Sequence, residues 1–193
     1  QANIRTSEIK GTSVQEFLQT LRDIKADQKG YMLDNIEVSA YASPDGSMKV
    51  NTALAQKREQ SSKKYVGESL KKNNLETELD TRYTAEDWDG FQQLLQASNV
   101  QDKDIILRVL SMYQDPEERE KQIRNISAGY DELAKEILPE LRRARLTIHY
   151  NLIGRSDDEI QEQLKTDASK LSVEEMLYAA TLTEDTKEQK DIY

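Results

Sequence analysis

The sequence predicts an α+β domain in which helices pack on one face of a mixed sheet, and three observations predict it. Segments whose apolar residues recur every second position alternate with segments whose apolar residues recur every third and fourth. The order is strand, helix, strand, helix, strand, helical insert, strand, which suits a layer of helices on a sheet. Further helical patterns follow the last strand. Residues 1–153 read as one main domain with a helical insert at 84–139, and residues 154–193 as a C-terminal helical segment. The 193 residues suffice for one sizeable core with room for an extra subdomain.

Taken in order, about Asn3 to Ile9 is a short strand candidate. Ser13 and Glu16 then have the spacing of a capping box ahead of Val14, Phe17, Leu18, Leu21 and Ile24, which predicts a helix. Ile36, Val38, Ala40 and Ala42 alternate with Glu37, Ser39, Tyr41 and Ser43, the pattern of a half-buried strand. Ser43-Pro44-Asp45-Gly46 has turn chemistry: proline presets its φ, and glycine tolerates the positive φ that other residues resist. From about Met48 to about Leu70 a helix is predicted, with Val50, Leu54, Tyr65, Val66 and Leu70 near one face and Lys49, Lys57, Arg58, Lys63 and Lys64 mostly on the others.

Leu75, Thr77, Leu79, Thr81 and Tyr83 alternate with Glu76, Glu78, Asp80 and Arg82 as the next strand. The insert reads as three helices. Thr84 and Asp87 are capping candidates for the first, which carries Trp88, Phe91, Leu94 and Leu95. The second carries Ile105, Ile106, Val109 and Leu110. The third carries Ile123, Ile126, Tyr130, Leu133 and Ile137 and is stopped by Pro139. From Leu141 to about Leu152, Ala144, Leu146, Ile148 and Tyr150 alternate with Arg145, Thr147, His149 and Asn151 as the last strand. In the tail, Asp157 to Leu164 is a short polar helix, and Ser172 with Glu175 forms a capping box ahead of Met176, Leu177, Ala179, Ala180 and Leu182. Another helix is expected from near Thr186. Two readings of this tail stay open: a helical hairpin packed on the domain, or the start of a truncated helical-repeat region, since repeats need about three units to be stable.

The stretch from Ile36 to Arg58 is the most informative about function. Guanidinium grips a carboxylate with two parallel hydrogen bonds, and backbone amides at a helix start add an anion site. Gly46, Asn51, Leu54 and Arg58 follow a strand as a glycine loop and then Asn-x-x-Leu-x-x-x-Arg on a helix. This resembles the OmpA-like peptidoglycan-binding domain of Gram-negative envelopes, over roughly Asn3 to Ile153. With its Ala-Ser-Pro-Asp-Gly loop the chain looks closer to a subgroup with an Ala-Ser-Pro-Asp/Glu-Gly loop, in which the domain tends to precede tetratricopeptide-like helices, than to the general family. In that family a loop aspartate and the helix arginine hold the free amino-acid end of diaminopimelate in the peptidoglycan stem peptide. Arg58 aligns with that arginine, whereas Ser43 stands where the aspartate usually is. Asp45, two residues on, either substitutes for it or caps the turn. Leu141-Arg142-Arg143-Ala144 sits where the family often has Asn-Arg-Arg-Val, so Arg142 and Arg143 match and the asparagine does not. The insert is longer than in common members.

Composition bounds the alternatives. A formal charge of -9 disfavours nucleic acid and any long-range attraction to an anionic wall polymer, so binding would rest on a short-range pocket. No apolar run approaches the roughly eighteen residues that span a bilayer. The chain begins with Gln1 rather than methionine, which suggests a processed or trimmed product whose targeting segment has been removed. Without cysteine there are no disulfides or thiolate sites, and the single histidine, His149, has no nucleophile motif near it. The acidic runs at Glu117, Glu118 and Glu120 and at Asp157, Asp158 and Glu159 read as solvated helix faces. No metal-ligand spacing or phosphate loop occurs, so no cofactor is expected. Trp88 and Phe91 are more simply core than a sugar-stacking surface.

The resemblance thus implies a noncatalytic, periplasmic, outer-membrane-associated domain that binds peptidoglycan. Arg58 would take the carboxylate, Ser43 or Asp45 with Asn51 would shape the loop, and Arg142 and Arg143 would support it. The other reading is an envelope scaffold of the same fold whose ligand site has been lost and whose C-terminal helices bind another envelope protein.

Overall fold

The structure, a computed structural model, describes residues 6–126 and 130–183. Its organising element is β1, Tyr31–Tyr41, which lies between β2, Glu78–Thr84, running parallel to it, and β3, Ala144–Leu152, running antiparallel. The fold is therefore α+β with a three-stranded mixed sheet among the described residues. The 25-residue helix α3, Met48–Lys72, makes the crossover from β1 to β2 that parallel pairing requires.

Register decides which side chains share a face. Ile36 lies beside Leu79 and Ile148, and Val38 beside Thr81 and Leu146. This row meets Phe17, Leu21 and Ile24 from α2, Thr12–Ala26, and Val66 and Leu70 from α3. Both helices therefore cover one face. On the other, Asn35 lies beside Glu78 and His149, Glu37 beside Asp80 and Thr147, and Ser39 beside Arg82 and Arg145. That face is a polar lattice in which Arg82 pairs with Glu37 and donates to Ser39 Oγ at 2.8 Å.

A second core belongs to the insert. Helices α4 (Trp88–Ala97), α5 (Lys103–Met112), α6 (Pro116–Ile126) and α7 (Tyr130–Glu136) bury Phe91, Leu95, Ile106, Leu133 and Leu141 together. Asp87 caps α4, its Oδ1 accepting from the Gly90 amide at 2.9 Å. Residues 127–129 of the expected third insert helix lie outside the described residues, which flank them with the helical ends of α6 and α7. A third, smaller core joins α8 (Asp157–Asp167) to α9 (Val173–Ala179) through Ile160, Leu171 and Ala179. Both helices start with a full capping box, Ser156 with Glu159 and the expected Ser172 with Glu175. The helix expected near Thr186 lies outside the described residues.

Three expectations are corrected. Thr6–Ile9 is a helical turn, α1, rather than strand, the Thr6–Ile9 spacing of three matching a turn of helix; residues 3–5 lie outside the described residues. The box at Ser13 and Glu16 does not form, because α2 begins two residues earlier than that cap requires, with Gly11 at the N-cap and no side-chain cap. Of the face expected for α3, Val66 and Leu70 are buried, but Val50 is 54% exposed and Leu54 and Tyr65 are half-buried; the buried face runs along Asn51, Ala55, Arg58, Ser62, Val66 and Ser69, with Leu70 beside it. These residues recur at threes and fours, and their mostly small side chains let the helix approach the sheet closely.

Candidate functional site

The loop after β1 is fixed from several directions. Pairing continues past the strand, with the Ala42 amide donating to Thr84 O at 3.0 Å and the Asp87 amide to Ala42 O at 3.1 Å. Ser43 and Pro44 are consequently buried. The chain turns at Gly46, whose φ of +90° is the left-handed conformation that glycine adopts without a Cβ penalty. Asn51 Nδ2 reaches back to Gly46 O at 3.4 Å, and Glu120 Oε1 of α6 accepts from the Gly46 amide at 3.1 Å.

Arg58 lies beneath this loop. Its position on the buried face of α3 carries the guanidinium under the strand end, where Nη1 donates to the carbonyl of Tyr41. The residue is only 8% exposed. Burial first, and then the neighbouring positive charge of Arg142, hold its pKa below the ordinary arginine value, with Glu8 acting in the opposite sense. The outermost cation is Arg142, just ahead of β3. Its Nε donates to Ser43 Oγ at 3.1 Å and its Nη2 to Asp45 Oδ2 at 3.2 Å. Ser43 Oγ in turn donates to Asp45 Oδ1. The side chains of Arg142 and Asp45 are 44% and 30% exposed, so this ion pair meets solvent.

Of the six residues singled out from the sequence, the fold thus gathers Ser43, Asp45 and Arg142 into one hydrogen-bonded group, sets Asn51 against the loop backbone and puts Arg58 under it. Arg143 turns elsewhere. It forms an ion pair with Asp87 Oδ2 at 2.9 Å, and its guanidinium lies 4.6 Å from the centre of the Tyr41 ring. Beside the loop is an open hollow of about 470 Å³ bordered by Gly46, Glu117, Glu120, Lys121 and Arg124.

Sequence reasoning missed two contributors. Tyr41 acts through its backbone carbonyl, which no side-chain pattern reveals. Glu120 stands 74 positions from Gly46 in a run read as a solvated face, and α6 brings it to the loop while it also binds Arg124 at 2.6 Å. Phe91 is buried, and Trp88, half-buried, meets it edge-on in the insert core. His149 is exposed on the polar face of the sheet. Among the described residues no group of acidic or histidine side chains is arranged to hold a metal ion, and no helix is long and apolar enough to cross a membrane.

Compared with protein-family models, curated proteins and solved structures, the chain matches none.

Proposed function

We propose that this chain is a noncatalytic domain of the OmpA-like kind that binds the diaminopimelate end of a peptidoglycan stem peptide. It would act in the periplasm to tether an outer-membrane-associated protein to the cell wall. The observation that carries the reading is the solvent-facing pair of Asp45 and Arg142, 3.2 Å apart, formed where the chain ahead of β3 meets a loop braced from below by Arg58. An amino-acid end presents an ammonium beside a carboxylate, and this pair offers one group of each opposite sign. Asp45, with Ser43, takes the ammonium, and Arg142 takes the carboxylate, so that one ion pair is exchanged for two. Because a pair exposed to solvent contributes little, opening it costs little. Arg58 adds positive potential from behind and holds the Tyr41 carbonyl, and Asn51 holds Gly46; the role the resemblance gave to Arg58 passes largely to Arg142. The parallel crossover from β1 through α3 to β2, with β3 antiparallel, supports the same fold assignment.

A second reading is favoured by the same contacts. Ser43 and Asp45 are already satisfied by Arg142, as they would be in an interaction scaffold whose ligand site has closed and whose C-terminal helices bind another envelope protein.

Co-sedimentation with purified peptidoglycan sacculi separates the two. The ligand reading expects retention of the wild type, loss with Arg142→Ala, and loss with Asp45→Asn. A folded wild type that stays in the supernatant excludes it and leaves the scaffold.

A further inference from the structure

Among the described residues the sheet has two unpaired edges of opposite character. On β2, Glu78, Asp80 and Arg82 put charge along the strand, a common guard against unwanted pairing. On β3, Ala144-Arg-Leu-Thr-Ile-His-Tyr-Asn-Leu152 has Arg145 as its one formally charged residue and no proline, lysine or acidic residue, and the irregularity in its pairing with β1 falls on the β1 side, at Asp34. Among the described residues no strand pairs with the outer side of β3. Large apolar side chains crowd its far end, with Leu152 74% exposed and Tyr150 45% exposed.

The backbone directions are fixed. Arg143 O accepts from the Tyr41 amide and the Ile153 amide donates to Gly30 O, so the odd-numbered residues of this stretch turn their peptide groups toward β1. The peptide groups of Ala144, Leu146, Ile148, Tyr150 and Leu152 therefore point outward.

We propose that this edge pairs with the same edge of a second copy, antiparallel about a two-fold axis at Ile148, extending the sheet across the dimer. Three features favour a second copy as the occupant. The axis at Ile148 is the midpoint of the strand, so all nine residues overlap. The outward-pointing set is then matched in hydrogen-bonded pairs, Ile148 with Ile148, Leu146 with Tyr150 and Ala144 with Leu152. On the polar face Arg145 falls opposite Asn151 and Thr147 opposite His149, so no like charges oppose each other directly.

The register makes Asn151 the test position. Its side chain lies on the exposed polar face, so substitution leaves both the core and the β1 ladder in place. Asn151→Arg sets two arginine pairs against each other across the axis, and Asn151→Glu sets two Arg145–Glu pairs. Opposed charges at directly facing positions change pairing enough that two per dimer shift the dissociation constant by on the order of tenfold. Sedimentation of wild type and both variants over a wide dilution series, with circular dichroism to verify folding, is the measurement. A wild-type dimer weakened by Asn151→Arg and strengthened by Asn151→Glu is the expected result. A wild type that stays monomeric at every concentration, or a dimer that neither substitution moves, overturns it.

Discussion

Arg155 Nη1 lies 2.9 Å from each carboxylate oxygen of Glu175, while its Nη2 pairs with Asp27. One guanidinium, 4% exposed, thereby ties α9 to the turn that leads into β1. Removing the cation of a buried ion pair leaves the two carboxylates desolvated with only the Ser172 and Gly30 amides to offset their charge, so Arg155→Ala is expected to cost about 3 kcal/mol. Thermal or urea unfolding checks the size, and faster amide exchange confined to α8 and α9 checks the place.

The same contact makes the docking of α9 sensitive to acid. Burial pushes the Glu175 carboxyl up, but the Ser172 backbone amide and the Arg155 guanidinium outweigh it, and the net pKa lies below the ordinary 4.5. A depressed folded-state pKa stabilises fully above the unfolded value and loses that contribution as pH falls through the folded one. Exchange protection of α9 is therefore expected to hold from neutral pH down to the ordinary glutamate range and to drop below it. In Glu175→Gln this step should be absent. A wild-type profile without a step, or a step that survives in the variant, counts against the assignment.

Gly30 is the residue that leaves room for this clamp. A Cβ there would meet Asp27 Oδ2, with Arg155 Nη2 at 2.8 Å and Nη1 at 2.9 Å. Gly30→Ala is therefore expected to destabilise by roughly 1–3 kcal/mol through overpacking. Combined with Arg155→Ala, which removes the obstructing guanidinium, the cost should fall short of the sum of the two single changes. Additive losses in the double-mutant cycle would show that the alanine strains something else.

How far the sequence reveals this architecture depends on the kind of signal. Alternation placed Ile36, Val38 and Ala40 on the covered face of β1, since a buried face demands apolar side chains every second residue. It missed Tyr31–Asn35 because the irregularity at Asp34 shifts the period between Leu33 and Asn35. The Pro-Asp-Gly bend was legible, for a positive φ requires glycine chemistry. The orientation of α3 was legible at its far end, where Val66 and Leu70 are buried as expected, but not at its start. Asn51, Ser62 and Ser69 are buried although polar, and a hydrophobicity pattern drawn toward Val50 and Leu54 tilts the first turns away from the face that is buried. That error hid the burial of Arg58, and the Arg142 contact to a loop 97 residues earlier in the chain leaves no local trace.

Gly46 offers a cleaner backbone test. Nothing lies within 4 Å of a Cβ built there, so Gly46→Ala introduces conformational strain without a clash. At φ +90° that strain should be about 1–2 kcal/mol, and Gly46→Asn should cost less than Gly46→Ala because asparagine tolerates positive φ better. Equal losses for the two would mean that the loop relaxes to negative φ. Since the Gly46 amide also donates to Glu120, such relaxation would appear as well in the amide chemical shift of residue 46.

Arg58 and Arg142 should separate stability from binding. Arg58 is buried and occupied by the Tyr41 carbonyl, so Arg58→Ala leaves an acceptor unsatisfied and a space under the loop, a loss of about 2–3 kcal/mol. Arg58→Lys should recover only part of it, because an ammonium presents its donors as a compact point rather than a planar fork. Arg142 is half exposed, and its pair with Asp45 is of the surface kind, so Arg142→Ala should cost less than about 1 kcal/mol. Under the ligand reading, retention on sacculi then falls with Arg142→Ala at nearly unchanged stability, whereas with Arg58→Ala it falls only as far as the loop is disordered. A variant pair in which Arg142→Ala binds as wild type while Arg58→Ala abolishes binding and leaves the melting temperature unchanged would reverse these two roles.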